Sequence, residues 1–361
     1  MKHFPLILLL LLAVSCTNQT LQILVGTYTE GTSAEGVYLY SYDAKTAAAE
    51  LVGMAPSGNP SFVIASPDGR RAYAVNEYND GRQGVSAFSL EDGTIQALES
   101  LPIPKDVVDG ADPCNLLYTG GALLSSNYTG GSLSAFPLSA EGRIGEISQW
   151  YAGAAELSRV PHMHCSVISP DGKYIFATDL GRDRVYRFER GSGACPLGEE
   201  TVAWQNESGS VFGPRHMVFS ADGRFAYLLC ELGDMLVVFS YADGILTPIQ
   251  ALEAYDGKGH GSADLHLSPD GRFLYTSHRL KEDGIAIYSV NRESGEVARI
   301  GYQPTGRHPR NFAISPDGRF LLCACRDDNR IEIYGIDRKT GALSPTGRTI
   351  ELGAPVCVQF L

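Results

Sequence analysis

Residues 309–336 read PRNFAISPDGRFLLCACRDDNRIEIYGI, and this stretch decides the fold. A turn tetrapeptide, SPDG at Ser315–Gly318, stands between two short β-rich runs. Pro sets φ for the first turn position and Asp-Gly accepts the conformation that closes a hairpin. The stretch ends on Ile331 and Tyr334, a branched aliphatic three residues ahead of an aromatic. Each of these features recurs. SPDG is found again at Ser66–Gly69, Ser169–Gly172 and Ser268–Gly271, with SADG at Ser220–Gly223. The aromatic returns as Tyr40, Phe88, Phe136, Phe188, Phe239 and Tyr288, and the aliphatic as Val37, Val85, Leu133, Val185, Leu236 and Ile285. A self-similar unit of roughly 50 residues points to a propeller or a solenoid.

Each unit supplies four short strands: one before the SPDG turn, one after it, the aromatic-column strand, and one beyond a second turn such as Asp92-Gly93 or Asp243-Gly244. No window of the mature chain keeps an apolar period of 3.6, which argues against helical repeats. Strand starts fall at Pro60, Pro113, Met163, Pro214, Ser262, Pro309 and Pro355. After Pro355 only one strand remains, and the missing three lie near the N-terminus, in Ile23–Tyr28, Gly36–Ser41 and a run near Leu51. The expectation is an all-β, seven-bladed β-propeller of four-stranded blades over residues 21–361. Its ring closes by pairing the two chain ends, which leaves no free sheet edge.

Forty glycines in 361 residues suit a turn-dense β protein. The formal charge of −12 argues against a nucleic-acid partner, since phosphate binding needs a basic face. Residues 1–16, MKHFPLILLLLLAVSC, read as a targeting segment with Lys2 and His3 ahead of an apolar run too short to span a bilayer. Ala13 and Ser15 before Cys16 resemble a bacterial lipobox. The expectation is an exported lipoprotein on the periplasmic side or outer membrane, touching the membrane only through a lipid on Cys16, with residues 17–20 as a tether. A plain signal peptide, or a cytoplasmic protein, stays open beside it. Of the other cysteines, Cys165, Cys230, Cys323, Cys325 and Cys357 fall inside expected strands as small buried hydrophobes. They suggest neither a disulfide framework nor a metal site. The oligomeric state is not readable.

Function belongs where the repeats diverge. The start of a blade's first strand and the end of its second meet at one mouth of the central channel. The residue after each strand start is Ser61, Cys114, His164, Arg215, Ala263, Arg310 or Val356. The second strands end on Tyr28, Glu77, Tyr128, Leu180, Glu231, Arg279 and Arg326. Titratable groups crowded into a concave rim perturb one another and mark a candidate site. His164, Arg215, Glu231 and Arg279 fall on three successive blades and are the expected catalytic group. Glu77, Asn127, His162 and Arg310 are the expected substrate-binding residues.

Ordered motifs then carry a resemblance over the whole mature chain. They are VGTYT at Val25–Thr29, NPSF at Asn59–Phe62, YAVNE ending at Glu77, NYTGGS at Asn127–Ser132 and PHMH at Pro161–His164. GPRH at Gly213–His216, CELG at Cys230–Gly233 and PRNFAISPDGRF at Pro309–Phe320 complete the set. The chain resembles the seven-bladed propeller lactonases, bacterial 6-phosphogluconolactonase and the muconate lactonizing enzymes among them. The family site implies a His of PHMH, the Arg of GPRH, the Glu that follows and a later Arg, which here are His164 or His162, Arg215, Glu231 and Arg279. There are three departures: His278 precedes Arg279, Ala263-Asp264 replaces a frequent Glu, and Thr129 of NYTGGS replaces a more usual Gly.

The resemblance implies hydrolysis of a small anionic sugar lactone without cofactor or metal. Arginine binds oxyanions bidentately and stays charged, so Arg215 and Arg279 are expected on the substrate anion and the developing oxyanion. His164 and Glu231 share the general base and acid roles in an order that stays open. An exported protein would not ordinarily meet 6-phosphogluconolactone. A non-catalytic, lipid-anchored sugar-acid-binding propeller and a muconate-type cycloisomerase remain as alternatives.

Overall fold

The computed structural model describes residues 20–153 and 159–361. The expected signal segment 1–16 with Cys16, and residues 17–19 of the tether, lie outside the described residues. Thr20 already belongs to the first strand, Thr20–Thr27, and pairs with Asp43. The described residues form seven four-stranded antiparallel sheets. Blade 1 is closed by the chain ends. The last strand, Pro355–Phe360, lies against Thr20–Thr27 with Val25 opposite Val358, and Gly36–Asp43 and Ala48–Pro56 complete the sheet. Blades 2 to 7 follow in chain order, each starting with its inner strand.

The inner strands of blades 3 to 7 start at Pro113, Met163, Pro214, Ser262 and Pro309, as the repeat predicts. Blade 2 differs. Its inner strand is Val63–Ala65, three residues after Pro60. Asn59 takes φ +39°, and its carbonyl accepts from Ser61 N at 2.7 Å and Glu77 N at 3.1 Å. That tight turn uses up the residues that would have opened the strand.

The repeated columns do what their chemistry dictates. Val37, Val85, Leu133, Val185, Leu236, Ile285 and Ile331 are all fully buried, and the aromatic column is buried beside them. Neighbouring blades share these side chains. Tyr227 and Leu229 of blade 5, for example, pack against Leu265, Leu274 and Tyr288 of blade 6. Truncating one such aromatic to Ala would cost about 3–5 kcal/mol.

The SPDG turns form a second, polar set of ties. In each, the Ser hydroxyl donates to the turn Asp, for example Ser268 Oγ to Asp270 Oδ1 at 2.7 Å. The same oxygen accepts the backbone N–H of the next strand's first residue, Phe273, at 3.0 Å. The turn glycine sits at positive φ, +66° at Gly271, which only a residue without Cβ adopts freely. The basic residue after the turn glycine crosses to the next blade: Arg224 Nη2 donates to Arg292 O at 2.6 Å, and Arg272 and Arg319 donate to the carbonyls of Arg338 and Ala44. Tyr73, Tyr227 and Tyr275 reach across in the same way to Gly142, Gly295 and Gly341. One end of the propeller is thus laced blade to blade by repeated sequence.

Candidate active site

The opposite end is built on irregularity. In six inner strands the pairing with the second strand, or in blade 1 with Thr20–Thr27, slips near the strand start. Pro113 and Asn115, Met163 and Cys165, Pro214 and His216, and Pro309 and Asn311 pair with consecutive partners, which leaves Cys114, His164, Arg215 and Arg310 extra. In blade 1 the extra residue is Val356, and in blade 6 Ala263 and Asp264 together face the slip. A bulge frees one residue from the ladder and re-aims its side chain. The bulged residue therefore points to the mouth, while the next residue, with its ordinary pairing, lines the channel beneath.

At the mouth, Glu231 is clamped by two arginines. Arg215 Nε donates to Oε2 at 2.8 Å and Arg279 Nη2 to Oε1 at 2.7 Å. Arg215 is 2% exposed and also donates to the Ala263 carbonyl. Arg279 donates further to Gly261 O at 3.0 Å and to His308 Nε2 at 3.3 Å. Burial pulls the Arg279 pKa down to about 9, with Glu231 opposing and Arg215 and Arg310 reinforcing. Burial by itself would raise the Glu231 pKa, but Arg215, Arg279 and Arg310 outweigh it and hold the carboxyl below its ordinary value. With both oxygens engaged and its charge favoured, Glu231 suits the fixing of guanidiniums better than the carrying of protons.

A second carboxylate faces it from blade 2. Glu77 Oε1 accepts the Tyr28 hydroxyl at 2.8 Å, and Oε2 accepts the Ser61 hydroxyl. Arg310 lies 3.6 Å from Glu77 Oε2 and sits over the Tyr28 ring, 5.6 Å from its centroid. Its proton is held more tightly than usual, since Tyr28 and Glu77 outweigh the effect of burial. Arg310 donates no hydrogen bond to any described residue, so its guanidinium keeps donors for an anion.

His164 sits on the remaining side. Burial first, then Arg215, His216, Arg310 and Arg279, hold its pKa well below the usual imidazole value, so it is neutral at pH 7. Its Nδ1 is buried with no partner among the described residues. The ring meets Tyr128 and His216 edge to face, at 5.7 and 5.2 Å between centroids. His162 stacks on Tyr128 at 4.5 Å and its Nδ1 lies 2.9 Å from the Tyr128 carbonyl. It lies against the mouth's edge and leaves the Glu231 cluster to His164.

The structure brings His164, Arg215, Glu231, Arg279, Glu77 and Arg310 into one ring, but the readings of Asn127 and Arg326 need correction. Asn127 is fully buried inside blade 3, donating to Ser132 Oγ and Ser134 Oγ at 2.9 Å each and accepting from Ser125 Oγ. Successive strand residues face opposite ways, and its neighbour Tyr128 is the one at the mouth. His278 is likewise turned from its neighbour Arg279. It is 0% exposed, stacked on Tyr255 at 4.1 Å, and bonded through both nitrogens to Ser262 and Thr276. Arg326 turns to Asp327 at 2.6 Å instead of joining the ring.

Sequence reasoning missed the layer below. His216 Nδ1 lies 2.7 Å from Asp264 Oδ1, His266 Nε2 lies 2.9 Å from Asp264 Oδ2, and Asn311 donates to the same Oδ2 at 2.5 Å. These side chains line a channel cavity of about 190 Å³. The only signals were His216 within GPRH and Asp264 within the Ala263-Asp264 departure. Among the described residues no group of three or more His, Cys, Asp or Glu is arranged to hold a metal ion.

Comparison with known proteins shows the family of the chain. A family model described as lactonase, 7-bladed beta-propeller, matches residues 22–360. The chain is 34% identical to a 6-phosphogluconolactonase of Formosa agariphila, covering 93% of this chain and 98% of that one. It is 30% identical to a 6-phosphogluconolactonase of Bacillus subtilis, covering 93% and 97%. The solved structure of a periplasmic gluconolactonase from Pseudomonas aeruginosa is similar at TM-score 0.85 and 30% identity, over 95% of this chain and 99% of that one.

Proposed function

Because the chain belongs to the seven-bladed β-propeller lactonase family, we propose that it is a lactone hydrolase opening a sugar-derived lactone at the mouth ring. One observation carries the reading: two buried guanidiniums fixed on Glu231 stand beside a neutral His164 with an unpartnered nitrogen. Arg215 and Arg279 are pre-oriented donors for the oxyanion of the tetrahedral intermediate, and need no reorganisation as charge develops. Arg310, with Glu77 and Tyr28 behind it, takes the substrate's anionic or hydroxyl-rich end.

In this mechanism water attacks the lactone carbonyl and His164 accepts its proton as general base. The ring C–O bond then breaks, and His164 returns the proton to the departing alkoxide. Glu231 holds the arginines and stays ionised throughout. The acid that forms is ionised at pH 7, so each turnover releases one proton. The measurement is proton release from glucono-δ-lactone and 6-phosphoglucono-δ-lactone above the spontaneous rate. Arg215→Ala lowers kcat by about 10²–10³, the usual loss for one oxyanion donor. Equal rates for wild type and variant would sink the assignment.

We propose further that the enzyme lies outside the cytoplasm as a lipoprotein processed at Cys16. Two features support it: the targeting pattern of residues 1–16 and a relative described as a periplasmic gluconolactonase. The substrate is then a lactone available in that compartment. Wild type should pellet with membranes and Cys16→Ala should not. Soluble cytoplasmic protein starting at Met1 would refute the placement.

A further inference from the structure

Hydrolysis at the mouth leaves a proton to dispose of. His164 is a poor place to keep it, since Arg215, Arg279 and Arg310 surround it and it has no carboxylate partner. The next imidazole differs in one respect. His216, in edge-to-face contact with His164, places Nδ1 2.7 Å from Asp264 Oδ1. Asp264 is 3% exposed and accepts from every side: His216, His266, Asn311 and the Leu265 backbone N–H at 3.0 Å. That many donors keep it ionised, so it can only accept from His216. The imidazole is thereby fixed with its proton on Nδ1 and a lone pair on Nε2.

We propose that His216 is a second proton-transfer imidazole of the lactonase reaction, receiving the released proton from His164, and that Asp264 is the residue that positions it. The inference rests on the proposed hydrolase reading. The product acid loses its proton to His164, which packs against His216 without a direct hydrogen bond, and a solvent molecule carries it on to His216 Nε2. Burial and Arg215 keep His216 neutral at rest, so the imidazolium is short-lived, and while it lasts its Nδ1–H is held by Asp264. His266, on the other oxygen of Asp264, faces the same cavity of about 190 Å³, which offers an exit while substrate occupies the mouth. The groups facing His216 are Arg215 on its own strand, His164, Asp264 and, across Asp264, His266. Only Asp264 among them favours a positive imidazole.

The test is a double-mutant cycle on the full chain, with turnover of glucono-δ-lactone followed by proton release. Asp264→Asn lowers kcat about 10²-fold, the lower end of acid–base contributions, and leaves KM within about twofold. His216→Asn produces a similar loss, and the double variant loses no more than the worse single one, because the two act as a unit. Asp264→Glu restores part of the rate. Unchanged kcat in folded Asp264→Asn, or losses that multiply in the double variant, overturns the proposal. Should the variants fail to fold, nitrogen-15 NMR of wild type decides: an Nδ1–H tautomer at His216 sustains it and an Nε2–H tautomer overturns it. Wild type that opens no lactone would refute the hydrolase reading, while the tautomer still reports separately on the Asp264 contact.

Discussion

The two ends of the propeller are made from the same strands and behave as opposites. At the turn end, five tetrapeptides repeat one solution, and serine, aspartate and backbone satisfy one another locally. At the mouth no two blades present the same pair of side chains, and charge is left for something that is not protein. Arg310 keeps free donors and His164 keeps an unpartnered nitrogen. Buried polar groups are nearly always bonded, so a buried nitrogen without a partner points to a task beyond holding the fold. Repetition marks where the sequence serves stability, and its breakdown marks where it serves chemistry.

The contrast makes graded demands. A large effect on turnover is expected from Glu231→Gln, which removes the charge that fixes both arginines. It should lower kcat by about 10²–10³, in line with loss of an oriented oxyanion donor. The check is single-turnover kinetics beside an unfolding curve. A variant that keeps full activity would place the oxyanion site elsewhere.

A middle-sized effect concerns acid. Burial holds His278 at about 3, and burial with Arg215 holds His216 at about 4, both far below the unfolded value of about 6.5. Both groups favour the folded state above pH 6.5. As pH falls from there the unfolded chain binds protons that the native chain refuses, and stability falls. The cost is about 1.4 kcal/mol per pH unit for each such histidine until its native value is reached. His266, raised because Asp264 outweighs burial, runs the other way: its contribution is complete below about pH 6.5 and fades as pH rises through its own value. Denaturant midpoints between pH 4 and 7 should therefore slope upward with pH, and His278→Gln should flatten the slope. An unchanged slope in that variant would contradict the buried, neutral state of His278.

The smallest effect belongs to the turn end. Ser268→Ala removes one hydroxyl that bonds Asp270 and the Phe273 amide, worth about 1 kcal/mol. Thermal unfolding should register it while kcat stays within error. A loss of activity without loss of stability would break the division between the two ends.

Much of this division is legible in the amino-acid sequence. The aromatic and aliphatic columns, the SPDG turns and the closure of blade 1 depend on local turn chemistry and a fixed period, which the chain states directly. The four central residues His164, Arg215, Glu231 and Arg279 are also legible, since strand starts and strand ends must meet at one mouth. The expectation for Asn127 does not come from that reasoning, which puts Tyr128 at the mouth, and alternation from Tyr128 turns Asn127 inward. The layer of His216 and Asp264 is hidden for a different reason. A bulge is a slip between two strands, visible only in their pairing, and it is what lets two consecutive residues, Arg215 and His216, both serve the channel. The late start of blade 2 at Val63 likewise comes from the turn at Asn59, which no repeat column records.

The central claim is that the mouth opens a lactone with His164 as its base. The most direct measurement compares proton release by wild type and His164→Asn on glucono-δ-lactone and 6-phosphoglucono-δ-lactone, with unfolding midpoints recorded for both proteins. The account predicts wild-type turnover well above the spontaneous rate, a loss of about 10²–10⁴ in kcat for the variant, and midpoints that stay close. Wild type no faster than buffer, or a folded His164→Asn that turns over as fast as wild type, would contradict it.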